Sequence, residues 1–166
     1  SHLVEDIPKP SLSVDNNNIE NLLTSHGIDI TKPTIVLCPG AEFGPAKRWP
    51  PYHYSRIADN YLLKSWNVII LGSSKDCSVA LEIKNYLSSK SSDNNIYDLT
   101  GKTTLVDAAD LMSIADVVLT NDSGLMHMAA AVETPLVALY GPSSPEFTPP
   151  LSKNSIVIRR ERGYKK

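Results

Sequence analysis

From Thr34 onward, short apolar runs alternate with stretches whose apolar residues recur at helical spacing, and this alternation strongly limits the possible folds. The apolar runs lie at residues 35–37, 68–71, 96–97, 117–119, 136–139 and 156–158. Strands that are apolar at successive positions are buried on both faces, which requires a parallel sheet covered by helices on each side. Right-handed crossovers between such strands predict a doubly wound α/β domain.

The stretches between these runs carry apolar residues at i, i+3, i+4 and i+7, which form one face of a helix. The predicted stripes are Tyr54, Ile57, Ala58, Tyr61 and Leu62; Val79, Ala80, Ile83, Tyr86 and Leu87; and Leu105, Ala108, Ala109 and Met112. A short helix before the first strand carries Ile19, Leu22 and Leu23 and is predicted to end at Gly27, since glycine commonly follows the last helical residue. A further, alanine-rich helix is expected to begin at Ser123.

Composition excludes several classes of protein. A chain of 166 residues fits about one domain. Its net charge of −2 gives no reason to expect binding to nucleic acid or to a membrane through bulk electrostatics. Cys38 ends an apolar run, so a buried strand thiol is expected there. Cys38 and Cys77 are far apart and have no C-x-x-C spacing, so neither a disulfide nor a zinc site is predicted. No carboxylates or histidines have metal-ligand spacing, so we expect no metal.

Ligands of doubly wound sheets bind outside the carboxyl ends of the strands. Polar, glycine-bearing loops follow four of the predicted strands, at residues 39–42, 72–74, 121–124 and 140–143. The third of these loops opens a helix, where unpartnered N–H groups and the helix dipole create a positive end. Ser123 in this loop is therefore either a helix cap or part of a seat for a phosphate group.

The loop after the first strand, residues 39–50, is long for a compact α/β unit. Its glycines Gly40 and Gly44 let the backbone approach a ligand, and Lys47 and Arg48 bring cations to the same rim. A lysine that faces a helix N-terminus predicts a diphosphate clamp; the alternative is a solvated pair of basic residues. Neither the dinucleotide fingerprint nor the P-loop motif follows any strand, so nicotinamide binding and P-loop chemistry are poorly supported.

Asp122, Ser123 and His127 also suggest a Ser/His/Asp hydrolase. A hydrolase nucleophile normally lies in a G-x-S-x-G elbow, with its histidine and acid on separate loops. No such elbow surrounds Ser123, which disfavours a hydrolase. A purely structural account, with Ser123 as a cap and His127 as an ordinary helix histidine, stays open for this motif alone.

Three segments in order resemble the ADP-heptose:lipopolysaccharide heptosyltransferases (glycosyltransferase family 9), most closely the heptosyltransferase II branch. They are residues 39–50, 121–127 and 140–150. The resemblance implies the GT-B architecture, with two Rossmann-like domains and the site between them. This chain would be the C-terminal, donor-binding half. It would comprise an interdomain lead-in with a short helix at 1–33, a nucleotide-sugar-binding domain at 34–160 and a truncated basic tail at 161–166.

The resemblance also implies roles for individual residues. Lys47 would bind the phosphates of the nucleotide sugar, and Ser123 and Gly124 would hold its diphosphate at the helix N-terminus. Asp122 would bind the heptose hydroxyls, and His127 would line the same pocket. Asp76 is the candidate for the ribose, and the adenine is expected near Gly101, Lys102 and Thr103.

As a member of this family, the full-length protein would transfer L-glycero-D-manno-heptose from ADP-heptose to the lipopolysaccharide inner core, with inversion and without metal or cofactor. The resemblance implies that the general base and the acceptor contacts would belong to a separate N-terminal domain, so we expect this chain alone to bind donor but to transfer nothing. A cytoplasmic location at the inner membrane, with at most peripheral membrane contact, is implied. The alternative is a non-catalytic nucleotide-binding or interaction module on the same scaffold.

Overall fold

The computed structural model describes residues 11–41, 48–91, 93–121, 123–141 and 154–159, which form one sheet with helices on both faces. In chain order the elements are α1 (Asn16–His26), β1 (Thr34–Cys38), α2 (Pro51–Leu63), β2 (Asn67–Ile70), α3 (Cys77–Asn85), β3 (Ile96–Asp98), α4 (Leu105–Ser113), β4 (Val117–Asn121), α5 (Gly124–Ala131), β5 (Leu136–Tyr140) and β6 (Ser155–Arg159). Every strand predicted from the sequence is present. None of the described helices is long and apolar enough to cross a membrane.

The six strands are parallel and lie in the order β3-β2-β1-β4-β5-β6. The register places Val36 of β1 between Ile69 of β2 and Val118 of β4. The chain runs outward in one direction from β1 to β3 and then returns to β4, on the other side of β1. This reversal is the topological switch point, where doubly wound sheets bind their ligands. The predicted doubly wound α/β fold is confirmed.

The core has two layers, one on each face of the sheet. Ile35 and Leu37 of β1 pack with the apolar stripes of α2 and α3, whereas Val36 and Cys38 pack with α1, α4 and α5. All four side chains are at most 2% exposed, which explains why β1 is apolar at successive positions. Burial also raises the pKa of the Cys38 thiol to about 12. The expected buried strand thiol is thus confirmed, and both cysteines are free.

Helix α1 ends at the predicted residue, with Gly27 in the left-handed conformation at φ 66°. The helix lies against α4, where the amide of Asn18 donates to Asp107 Oδ1 at 3.0 Å and to Asp110 Oδ2 at 2.7 Å. Leu22 joins the core beneath α4 and α5. The lead-in boundary at residue 33 stays a prediction, and the basic tail at 161–166 lies outside the described residues.

Two residues of the predicted helical stripes lie at the surface. Tyr86, which follows the last residue of α3, is 51% exposed and contacts the ring of Tyr52 edge-on. Leu105 is 71% exposed because it begins α4 at the rim of the sheet rather than over its centre. Leu105 instead lines the cleft described below.

Candidate functional site

A cleft of about 950 Å³ lies at the carboxyl ends of β1, β2 and β4, at the switch point of the sheet. The loop after β1, the loop after β2, and the first turns of α4 and α5 form its walls. The lining residues are Gly40, Ala41 and Arg48; Gly72, Ser73, Lys75 and Asp76; Thr103, Thr104, Leu105 and Ala108; and Ser123, Gly124, Leu125 and Met128. The described residues therefore form a ligand-sized space at the predicted rim.

The carboxylate of Asp76 fills the space that two glycines leave. A Cβ atom at Gly40 would lie 2.5 Å from the carboxylate atoms, and one at Gly72 would lie 2.7 Å from Oδ2. Oδ2 accepts the backbone N–H of Ser73 at 2.8 Å and its hydroxyl at 3.2 Å. These glycines thus accommodate a side chain of the protein itself. Asp76 is 9% exposed, and its predicted contact with a ribose stays a prediction.

Arg48 places its guanidinium beside this carboxylate, with Nη2 4.0 Å from Oδ1 of Asp76. The side chain is 30% exposed, and Nε is buried without an acceptor among the described residues. Lys75 adds a second, exposed cation to the cleft. Lys47, the cation assigned from the sequence, lies outside the described residues. The described part of the cleft therefore pairs one buried carboxylate with two cations.

Helix α5 points its N-terminus into the cleft. Ser123 is its N-cap, in an extended conformation, but the hydroxyl makes no cap hydrogen bond with the described helix residues. That hydroxyl lies 3.4 Å from Oγ1 of Thr120 instead. In front of Gly124 there is open space, where an added Cβ would meet nothing within 4 Å. Because the first turn of α5 is not capped by Ser123, this geometry favours a phosphate seat over a simple cap.

Asn121, which ends β4, holds the loop after β1 in place. Its side chain is fully buried. Its Oδ1 accepts the N–H of Trp49 at 3.1 Å and the hydroxyl of Tyr54 at 2.9 Å, and its Nδ2 donates to the carbonyl of Pro39 at 2.8 Å. Both ends of the segment from Pro39 to Trp49 are thereby attached to the strand that leads into α5. Burial raises the pKa of the Tyr54 hydroxyl well above its usual value, so this group remains a neutral donor.

Asn121 has no role in the sequence-based assignment, although the sequence contains a signal for it. A polar side chain at the end of a buried apolar strand must find hydrogen-bond partners, since unpaired buried polar groups are rare. The strand position could be predicted, but the three partners could not, because they depend on how the loop folds back.

The structure brings some of the predicted site residues together and leaves others apart. Asp76, Thr103, Ser123 and Gly124 line the cleft. Gly101, Lys102 and His127 are exposed and are not among its described lining residues. Gly101 has a positive φ of 70° and donates its N–H to the carbonyl of Gly72 at 2.9 Å, which fixes the turn before Thr103. Asp122, like Lys47, lies outside the described residues.

An apolar wall faces the cationic side of the cleft. Leu105 and Ala108 come from the first turn of α4, and Leu125 and Met128 come from α5. Each pair is spaced i, i+3, so both residues of a pair lie on one face of their helix. The sequence places Leu105 and Ala108 on one apolar helix face, and helical periodicity does not distinguish a core face from a cleft face. Ala108 is buried in the core as well as lining the cleft, whereas Leu105 is exposed there. A flat apolar group would fit against this wall.

A switch-point cleft with cations, an apolar wall and a helix N-terminus that Ser123 does not cap is typical of nucleotide-binding α/β domains. The chain belongs to glycosyltransferase family 9, the heptosyltransferases, whose family model matches residues 2–166. The lipopolysaccharide heptosyltransferase 2 of Salmonella typhimurium is 44% identical over 168 residues, covering 98% of this chain and 47% of that protein. The lipooligosaccharide heptosyltransferase 2 of Haemophilus influenzae is 50% identical over 132 residues, covering 80% of this chain and 38% of that protein.

Solved structures agree with this assignment. The Escherichia coli ADP-heptose lipopolysaccharide heptosyltransferase II superposes with a TM-score of 0.86 at 43% identity, over 95% of this chain and 49% of that one. A glycosyltransferase family 9 structure from Veillonella parvula gives 0.80 at 27% identity. The chain thus spans about half the length of the relatives it matches. The predicted family and fold are confirmed.

Proposed function

We propose that this chain is the donor-binding domain of a heptosyltransferase that moves heptose from ADP-heptose to the lipopolysaccharide core. The observation that carries the proposal is the cleft at the switch point, into which α5 directs an N-terminus that Ser123 does not cap. The names of the relatives support the same substrates, since heptosyltransferase 2 proteins from several bacteria match most of this chain.

The lining of the cleft suggests how ADP-heptose would lie. Its diphosphate would face the N–H groups of Ser123 and Gly124, with Lys47 as a counter-charge. Asp122 would bind the heptose, with His127 at the outer edge. Asp76 remains the candidate for the ribose.

The adenine would enter next to Thr103, at the turn that Gly101 and Lys102 begin. There it would pack against the apolar wall of Leu105 and Ala108. Burial of the flat base against this wall would stabilise binding, in addition to any contact with the turn predicted from the sequence.

The chemical role of this half would be to stabilise the leaving group. Transfer of the sugar leaves negative charge on the departing ADP, and fixed positive groups stabilise charge that develops in the transition state. Lys47 and the N-terminus of α5 would supply such groups. The acceptor hydroxyl needs a base aligned opposite the leaving group. We assign that base and the lipopolysaccharide contacts to a partner domain, with the protein at the cytoplasmic face of the membrane. The proposal also includes transfer with inversion and without a metal.

Titration calorimetry with ADP tests the proposal on the chain itself. We expect the wild-type chain to bind ADP, and Lys47→Ala to weaken binding about tenfold, the effect of one charge-assisted hydrogen bond. Lys64→Ala is the matched control. It removes the same charge from an exposed residue that follows α2 as its C-cap, at the opposite edge of the sheet, and should bind ADP as the wild type does. Absence of ADP binding in the wild type would favour a non-catalytic interaction module. Heptosyl transfer by this chain alone would contradict the assignment of the general base to a partner domain.

A further inference from the structure

Arg48 is a cation of the cleft that has more hydrogen-bond donors than the structure uses. A guanidinium presents five N–H donors, and burying them without acceptors is costly. Among the described residues, Asp76 approaches the guanidinium only to 4.0 Å, and the buried Nε has no acceptor. Lys75, by comparison, is exposed and can be hydrated. The Arg48 side chain is 30% exposed, so its outer donors can also be hydrated, but the buried Nε calls for an acceptor that a ligand in the cleft would supply.

The position of Arg48 is fixed from two sides. The N–H of the next residue, Trp49, is bound by the buried amide of Asn121. The guanidinium faces the carboxylate of Asp76, which Ser73 holds by two hydrogen bonds and which has no room to move toward Gly40. A side chain that is ordered before a ligand arrives loses little conformational entropy when the ligand binds.

The chemistry of the cleft selects the acceptor. Arginine forks match pairs of oxygens on phosphate or carboxylate groups. The N-terminus of α5, which lines the same cleft, favours an anion as well. Asp76 alone would repel an anion, but a guanidinium that lies between the carboxylate of Asp76 and the anion would attract both groups.

We propose that Arg48 directly binds the diphosphate of the nucleotide and that Asp76 positions its guanidinium for this contact. The proposal rests on the proposed function, because it requires a nucleoside diphosphate in the cleft. It assigns binding to a described residue for which the sequence predicts only a place on the rim. It also gives Asp76 a task that does not depend on a ribose contact.

The test compares ADP with adenosine on four forms of the chain by calorimetry at one ionic strength. In Arg48→Gln, ADP binding should fall about tenfold while adenosine binding changes less than about twofold, because only ADP carries the charge that Arg48 contacts. Arg48→Lys should lie between the wild type and Arg48→Gln, since it keeps the charge and loses the fork. Arg56→Gln is the control, because it removes the same charge from a residue that pairs with Asp59 and does not line the cleft.

A double-mutant cycle tests the role of Asp76. Asp76→Asn keeps the acceptor for Ser73 and removes the charge that faces Arg48. It should weaken ADP binding in the wild-type background, where Asp76 positions Arg48, but should strengthen it when Arg48 is already glutamine, because Asp76 then only repels the diphosphate. An equal loss in both backgrounds would show that Asp76 acts without Arg48.

The outcomes separate this inference from the proposed function. If the wild-type chain binds no ADP, the proposed function fails. If the wild type binds ADP and Arg48→Gln binds it equally well, only the inference is overturned. If Arg48→Gln loses ADP and adenosine to the same degree, Arg48 has a structural role, and the inference is wrong. If Arg48→Gln does not fold, the comparison of Arg48→Lys with the wild type decides in the same way.

Discussion

Replacing Asn121 by alanine should be among the most damaging single changes at the cleft. The substitution removes three hydrogen bonds, to Trp49 N–H, to the Tyr54 hydroxyl and to the Pro39 carbonyl. At about 1 kcal/mol for each net hydrogen bond, the expected loss is about 3 kcal/mol. The Tyr54 hydroxyl lies on a residue with no exposed surface, so water cannot easily replace the lost partner. A loss of this size should lower the melting temperature by about 6–12 °C in a domain of this length.

Asn67→Ala is a matched control, because Asn67 is equally buried but lies at the start of β2, at the edge of the sheet away from the cleft. Its Nδ2 donates to the Asp29 carbonyl at 2.7 Å and to Thr34 Oγ1 at 3.2 Å, and its Oδ1 is buried without a donor among the described residues. Removing it loses two hydrogen bonds and also an unsatisfied acceptor. The net cost should therefore be smaller, about 1 kcal/mol.

The assay pairs urea unfolding with ADP titration of each folded variant. Asn121→Ala should weaken ADP binding about tenfold, as the loss of one charge-assisted contact would, because the loop that carries Arg48 loses both its attachments. Asn67→Ala should leave ADP binding unchanged. Two results would refute the reasoning. One is a loss of stability below about 1 kcal/mol in Asn121→Ala. The other is an equal loss of ADP affinity in both variants, which would show that general stability rather than loop placement controls the site.

Two further predictions follow from single groups. Native protein should react with a thiol reagent at the exposed Cys77 only, because burial raises the pKa of Cys38 to about 12 and keeps this thiol protonated and covered; two rapidly reacting thiols would contradict this. Hydrogen bonds from Asn18 and from the Thr104 backbone lower the pKa of Asp107, so its contribution to stability is complete above the ordinary aspartate value of about 3.9 and is lost as the pH falls through the lowered value. Asp107→Asn should therefore reduce the acid dependence of unfolding below about pH 4, and an unchanged dependence would count against this.

Much of the fold could be predicted from the sequence because the central strands β1, β2 and β4 are buried on both faces. That burial gives continuous apolar runs such as 35–37, which differ clearly from the helical stripe of α2. The edge strand β6 has an equally apolar run, but its residues Ile156, Val157 and Ile158 are exposed. The other exceptions lie at element ends. Tyr86 continues the periodicity of α3 but follows its last residue, and Leu105 starts α4 at the rim. Periodicity identifies which face of a helix is apolar, but not whether that face meets the sheet or a cleft.

The site could be predicted less completely, because its contacts join residues that are distant along the chain. The switch point and the position of the α5 N-terminus depend on strand order and local residue type, so the sequence could indicate them. Whether Ser123 caps this helix is left open by the sequence, because serine is a common cap. The contacts of Asn121 with Pro39 and of Asp76 with Gly40 could not be predicted. They depend on how the ends of the β1 loop approach neighbouring strands, for which one sequence has no local signal.

The use of Gly40 and Gly72 connects these contacts to function. Glycines at the ends of strands ordinarily let a backbone approach a ligand, but here both make room for the carboxylate of Asp76. A fixed negative charge at the cleft repels an anion unless a cation lies between them, and this repulsion is strong where water is excluded. The loop after β1 supplies that cation as Arg48. Asn121 holds both ends of this loop on β4. This residue at the end of one buried strand therefore determines how Arg48 lies relative to Asp76, and so the charge that a diphosphate would meet at the start of α5.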